Sequence, residues 1–213
     1  MARWIGALLL TVIAGTSCRT AGEARGPQIV QPGAPGQPTR VIDAATAADL
    51  SRIQHTAADV RFMQGMIGHH AQALEMTALL PSRTNREDMR LLAQRIEVSQ
   101  ADEIGLMQRW LEVHGQKIPA PHAHHAEGAA LMPGMLTAEE MGRLAHATGA
   151  DFDRLFLALM LKHHEGALVM VRDLFATAAA GQEADIFAFA SDVDADQRIE
   201  IERMGFMLQE LQR

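Results

Sequence analysis

Two His-His pairs, His69-His70 and His163-His164, stand in the same helical phrase. Residues 59–76 read DVRFMQGMIGHHAQALEM and residues 153–170 read DRLFLALMLKHHEGALVM, so an offset of 94 superposes Asp, Phe, Met, both histidines, Ala, Leu and Met. Imidazole and thioether are borderline and soft metal ligands, and two copies of a helix that carries both can bring them together around an ion. On a helix Met66 lies one turn before His69 and His70, and Met160 one turn before His163 and His164. Adjacent histidines are about 100° apart at about 3.6 residues per turn. One pair therefore cannot readily chelate a single ion and needs partners from another helix. Met76 and Met170 follow at the end of each phrase as accessory thioether candidates.

A second correspondence, at an offset of 97, matches Gln100, Glu103, Ile104, Met107 and Leu111 with Gln197, Glu200, Ile201, Met204 and Leu208. Gln100 with Glu103, and Gln197 with Glu200, interrupt an otherwise apolar stripe. Buried polar groups of this kind need hydrogen-bond partners or a metal. The glutamates are expected to orient the histidines from behind, as carboxylates behind metal-bound imidazoles do; ion pairing within the bundle is the plainer alternative.

Between the two halves lies GQKIPAPHAHHAEGAALMPGML, an unusually long connection that brings His122, His124 and His125 together with Met132 and Met135. These are accessory metal candidates. Donors without a thiolate favour copper, with Met serving Cu(I), His serving both Cu(I) and Cu(II), and zinc the other imidazole-compatible ion. A di-iron carboxylate site would need Glu-x-x-His on two helices, which is absent, as are HExxH, a phosphate-binding glycine loop and a GxSxG turn. The sequence therefore points to binding rather than catalysis. The alternatives are a metal-free helical interaction module with hydrogen-bonded core histidines, and a copper-dependent oxidase.

The elements that must position these residues are helical. The 213-residue chain is 48% apolar, enough for a packed core, with no Tyr and no long β-branched alternation. Helical periodicity predicts long helices over 57–80, 86–114, 151–180 and 183–213, with shorter ones over 43–54 and, opened by a Thr137/Glu140 capping box, 137–147. A duplicated helical hairpin buries one face of each copy, which predicts an all-α four-helix bundle over 41–213 (repeat one 56–115, linker 116–136, repeat two 137–213).

Residues 1–17 have the basic start, short apolar run and small residues of an export signal, and Cys18, the only cysteine, stands where a bacterial lipoprotein is cleaved and lipidated. Residues 18–40 are rich in Gly, Pro and Gln and read as a flexible tether. The expected location is the periplasm or cell envelope, with membrane contact only through the lipid. A net charge of −7 argues against nucleic acid.

The pattern F-x-x-x-M-[IL]-x-HH-x-x-A-L-x-M, then Q-x-x-E-I-x-x-M, then MPGMLTAEEM before a second HHEGAL, closely resembles the domain-of-unknown-function 305 family over about 56–213. The resemblance implies a ferritin-like bundle exported from the bacterial cytoplasm, similar to periplasmic copper-binding and copper-resistance proteins. It would put His69, His70, His163, His164, Met66 and Met160 at the metal, with Met132 and Met135 accessory. A weakly held ion that leaves the site makes a copper-accepting or copper-exporting protein the expected partner.

Overall fold

The computed structural model describes residues 28–31, 38–48, 54–120 and 131–212. Four long helices form the bundle: α2 (Ala57–Thr77), α4 (Glu87–Val113), α6 (Gly149–Ala176) and α7 (Ala184–Glu210). Short helices α1 (Ala44–Ala48), α3 (Leu80–Arg83) and α5 (Ala138–His146) precede or connect them. The hairpins α2/α4 and α6/α7 are the two repeats, and they meet along α2 and α6.

Local chemistry sets the helix starts. Thr56 and Asp59 form a capping box on α2, and Thr137 and Glu140 form one on α5, so two otherwise orphaned N–H groups are satisfied at each. Asp59 also accepts a hydrogen bond from the Gly181 N–H at 2.7 Å, which ties the start of α2 to the α6/α7 turn.

The core is divided. One apolar cluster holds Met76, Leu92, Ile96, Phe152, Phe156, Met160 and Met204. The other holds Phe62, Met66, Met107, Ala167, Val171, Ile186 and Val193. Each cluster draws on all four long helices, and the residues between them in the sequence are polar and buried: His69, His70, Gln100, Glu103, His163, His164, Gln197 and Glu200. The bundle thus has a polar layer sandwiched between two apolar halves.

Three expectations are corrected. The stretch read as a tether (18–40) holds β1 (Ile29–Gln31), which pairs antiparallel with β2 (Arg40–Ile42) at and beyond its end, in the register Ile29↔Ile42 and Val30↔Val41. Its β-branched residues flank a Pro/Gly-rich connection, a hairpin signal that overall composition concealed. The first helix stops at Thr77 rather than Leu80, because Pro81 is taken into the first turn of α3, where a missing N–H costs nothing. The third helix runs from Gly149 to Ala176 rather than 151–180, since Ala179 and Gly181 turn left-handed (φ 64° and 68°). The signal segment, Cys18 and the loop histidines His122, His124 and His125 lie outside the described residues.

Candidate metal centre

The four repeat histidines are 0% exposed. They lie halfway along α2 and α6, where the hairpins cross, and the His69 and His163 rings meet there with centroids 3.8 Å apart and planes tilted by 38°. His70 and His164 point toward the other helix of their own hairpin. His70 Nε2–H donates to Glu103 Oε2 at 2.5 Å, and His164 Nε2–H donates to Glu200 Oε2 at 2.6 Å. Glu103 and Glu200 are themselves 8% and 3% exposed. Ser99 donates to the other Glu103 oxygen at 3.3 Å, and Arg95 stands 3.9 Å from Glu200.

His69 is held from a third direction. Its Nε2–H donates to the Pro133 carbonyl at 3.0 Å, so the MPGM turn of the linker closes over the seam between α2 and α6. The turn is fixed from both repeats. Gln72 on α2 pairs with the Leu136 backbone twice, donating to its carbonyl at 2.9 Å and accepting its N–H at 2.7 Å. On α6, Gly166 lies directly under the Pro133 carbonyl, where any Cβ would collide with it. Gly134 has φ 74°, a backbone that favours glycine, and sits equally close over Lys162 and Gly166.

Two thioether side chains reach α2, Met132 from the linker turn and Met170 from α6. A methyl group at Gly65 would lie 3.1 Å from the Met132 sulfur and 3.5 Å from the Met170 methyl. Gly65 is one turn before His69, so the two thioethers reach the helix face that carries that imidazole. Met66 and Met160 are fully buried in opposite apolar clusters, one on each side of the polar layer. Met76 is fully buried in the first cluster, and Met135 is buried as well.

Hydrogen bonding fixes the tautomers. Because Nε2 of His69, His70 and His164 each faces an acceptor, the neutral ring keeps its lone pair on Nδ1. Among the described residues all three Nδ1 atoms are buried without a partner, as are both nitrogens of His163, both amide atoms of Gln100 and the Gln197 oxygen. Leaving such a group unsatisfied costs roughly 1–3 kcal/mol. Burial drives the His69 pKa down to about 3, assisted by His70 and opposed by the Pro133 carbonyl. Burial also pushes His163 well below the usual histidine range, with His69 next in effect. At neutral pH both are uncharged donors, the form a metal requires.

Among the described residues no three His, Cys, Asp or Glu side chains converge around one point. The layer is a set of oriented imidazoles in which the His69 and His163 rings are in contact. Sequence reasoning missed Gln72, the Pro133 carbonyl and the space at Gly65. The signal was there as breaks in the repeat: Gly65 stands where repeat two has Leu159, and Gln72 where it has Gly166.

Known structures share this architecture. A DUF305 protein from Streptomyces coelicolor, inferred to be secreted, is 32% identical over 72% of this chain and 93% of its own, with a TM-score of 0.61. A DUF305 fragment from Deinococcus radiodurans is 30% identical over 73% of this chain and 98% of its own, with a TM-score of 0.64. CopM in its Cu(II)-bound form is 25% identical over 71% of this chain and 96% of its own, with a TM-score of 0.58. No curated protein matches the chain significantly. The family model described as "Domain of unknown function (DUF305)" matches residues 59–208, and the chain belongs to that family.

Proposed function

We propose that this protein binds copper at the seam between its repeats and serves, outside the cytoplasm, to sequester it or hand it over rather than to catalyse a reaction. The observation that carries the reading is that, among the described residues, the Nδ1 atoms of His69, His70, His163 and His164 are buried without a partner. A bundle that needed only stability would avoid the cost of so many unsatisfied groups. The Cu(II)-bound CopM relative supports copper as the ion.

His69 and His163 supply neutral nitrogen donors, and Met132 and Met170, beside Gly65, supply soft sulfur suited to Cu(I). Glu103 and Glu200 hold His70 and His164 in fixed tautomers. Two rings on one ion sit farther apart than 3.8 Å, so binding separates His69 from His163 and loosens the MPGM turn hydrogen-bonded to His69. That turn is then both cover and release element, and a copper-accepting or copper-exporting protein would engage it.

Export through residues 1–17 and anchoring through Cys18 complete the proposal; no helix among the described residues is long and apolar enough to cross a membrane. The test is copper competition titration of the full chain under reducing and oxidising conditions. Near-stoichiometric binding, lost in the His69→Ala/His70→Ala/His163→Ala/His164→Ala variant with helical content preserved, supports it. Unchanged affinity in that folded variant overturns it.

A further inference from the structure

A second pair of imidazoles lies at the far end of α4, away from the repeat histidines. His114 is the C-cap of α4 and His55 immediately precedes the α2 capping box; both are half-buried, and their ring centroids are 4.7 Å apart with planes at 73°. His114 Nδ1–H donates to the Trp110 carbonyl at 2.7 Å. That bond settles the tautomer: the lone pair of neutral His114 is on Nε2, turned away from its own helix. The ring cannot readily swing, because it stacks on the Trp110 indole at 4.2 Å and 28°, while His55 packs edge-on against the same indole at 5.4 Å.

The spacing matters. With a metal–nitrogen bond of about 2.0–2.1 Å, two imidazoles on one ion at tetrahedral or square angles have centroids roughly 4.5–5.2 Å apart. The His55–His114 separation falls in that range and the His69–His163 separation does not. The surroundings also favour a cation. The carbonyl end of a 27-residue helix carries partial negative charge. Trp110 and His114 line a groove of about 740 Å³ between α4 and α7, whose lining also includes Asp102, Glu103, Asp185, Asp192 and Asp196 against Arg109.

We propose that His55 and His114 form a second metal site, for a borderline divalent cation such as Cu(II) or Zn(II), where His114 joins this acidic groove. Two imidazoles without sulfur select such an ion over Cu(I), which the thioether-bearing seam suits better. The remaining coordination positions are filled by water. This site does not rest on the copper reading of the seam, and either can fail alone.

Trp4 and Trp110 are the only indoles, so the full chain with Trp4→Phe reports on Trp110 alone. Titration with Cu(II) is expected to quench its fluorescence saturably, with the quenching reversed by excess Zn(II). His55→Ala and His114→Ala should each raise the midpoint at least tenfold, whereas the His122→Ala/His124→Ala/His125→Ala and Met132→Ala/Met170→Ala variants should leave it unchanged. An unchanged midpoint in both single variants overturns the proposal, as does loss of quenching in the loop triple variant instead. Should either single variant disturb the Trp110 stack, Zn(II) titration of the unsubstituted chain followed by histidine nitrogen NMR decides. The His114 Nε2 and a His55 ring nitrogen must shift together at the first saturation; shifts confined to other histidines overturn the site.

Discussion

The Met132 sulfur lies beside Gly65, one turn from His69, so a residue of the linker reaches the helix face on which the repeats cross. Repeat two has Leu159 at the equivalent position, which makes Gly65→Leu an informative exchange. Leucine is worth about 1 kcal/mol more than glycine in a helix interior, against about 1–3 kcal/mol for crowding the methionines packed there, so the melting temperature should hold or fall modestly. The larger side chain displaces both Met132 and Met170, and Cu(I) affinity should fall at least tenfold. A calorimetric scan paired with a Cu(I) competition assay measures both sides of the exchange; unchanged affinity would show that the sulfurs at Gly65 take no part.

Gln72 holds the Leu136 backbone by two buried hydrogen bonds. Gln72→Ala leaves a buried N–H and carbonyl unpaired and should cost about 1–3 kcal/mol of stability by urea denaturation. Cleavage by a nonspecific protease between α4 and α5 should also speed up. Stability and cleavage rates equal to those of the unsubstituted chain would mean that the turn is held by other contacts.

Glu103→Ala strips His70 of its acceptor in a layer where the ring is fully buried. The expected loss is again about 1–3 kcal/mol for the metal-free protein. Glu200→Ala should behave alike, because the duplicated hairpin repeats the contact. The two losses should add only approximately, since both glutamates serve one layer. A loss below measurement error in both would assign the glutamates to solvation alone.

Acid should destabilise the metal-free protein earlier than its carboxylates require. The His69 pKa is lowered by folding, from the unfolded value near 6.5 to about 3, so between those values the unfolded chain binds the extra proton. The stabilising contribution is complete above about pH 6.5 and declines as pH falls, by roughly 1.4 kcal/mol per unit for this group. His163 shifts in the same direction. Urea midpoints measured from pH 7.5 to 4.5 should therefore fall steadily from pH 6.5 downward, and His69→Ala should flatten the slope. A profile level to pH 5 would contradict the buried, neutral state.

Much of the fold was legible because duplication writes itself twice. The offsets of 94 and 97 delimit α2 and α4 against α6 and α7, and a polar pair inside an apolar stripe marked Gln100, Glu103, Gln197 and Glu200 as one level of the core. The histidines were legible as a group, yet the partner of each was not. His70 and His164 meet carboxylates of their own hairpins, whereas His69 meets a backbone carbonyl 64 residues away, and no side-chain type announces a carbonyl. His55 and His114 are not legible as a pair because they belong to neither repeat phrase and are brought together by the packing of α2 against α4. The β1/β2 pair was lost in a Pro/Gly-rich composition that masks four β-branched residues.

The most direct measurement is X-ray absorption at the copper edge of the full chain loaded with one equivalent of Cu(I). Binding at the seam predicts mixed nitrogen and sulfur scattering, with the sulfur contribution lost in the Met132→Ala/Met170→Ala variant. Nitrogen and oxygen scattering alone would contradict the thioether ligands, and copper that does not stay with the protein through desalting would contradict a copper site between the repeats.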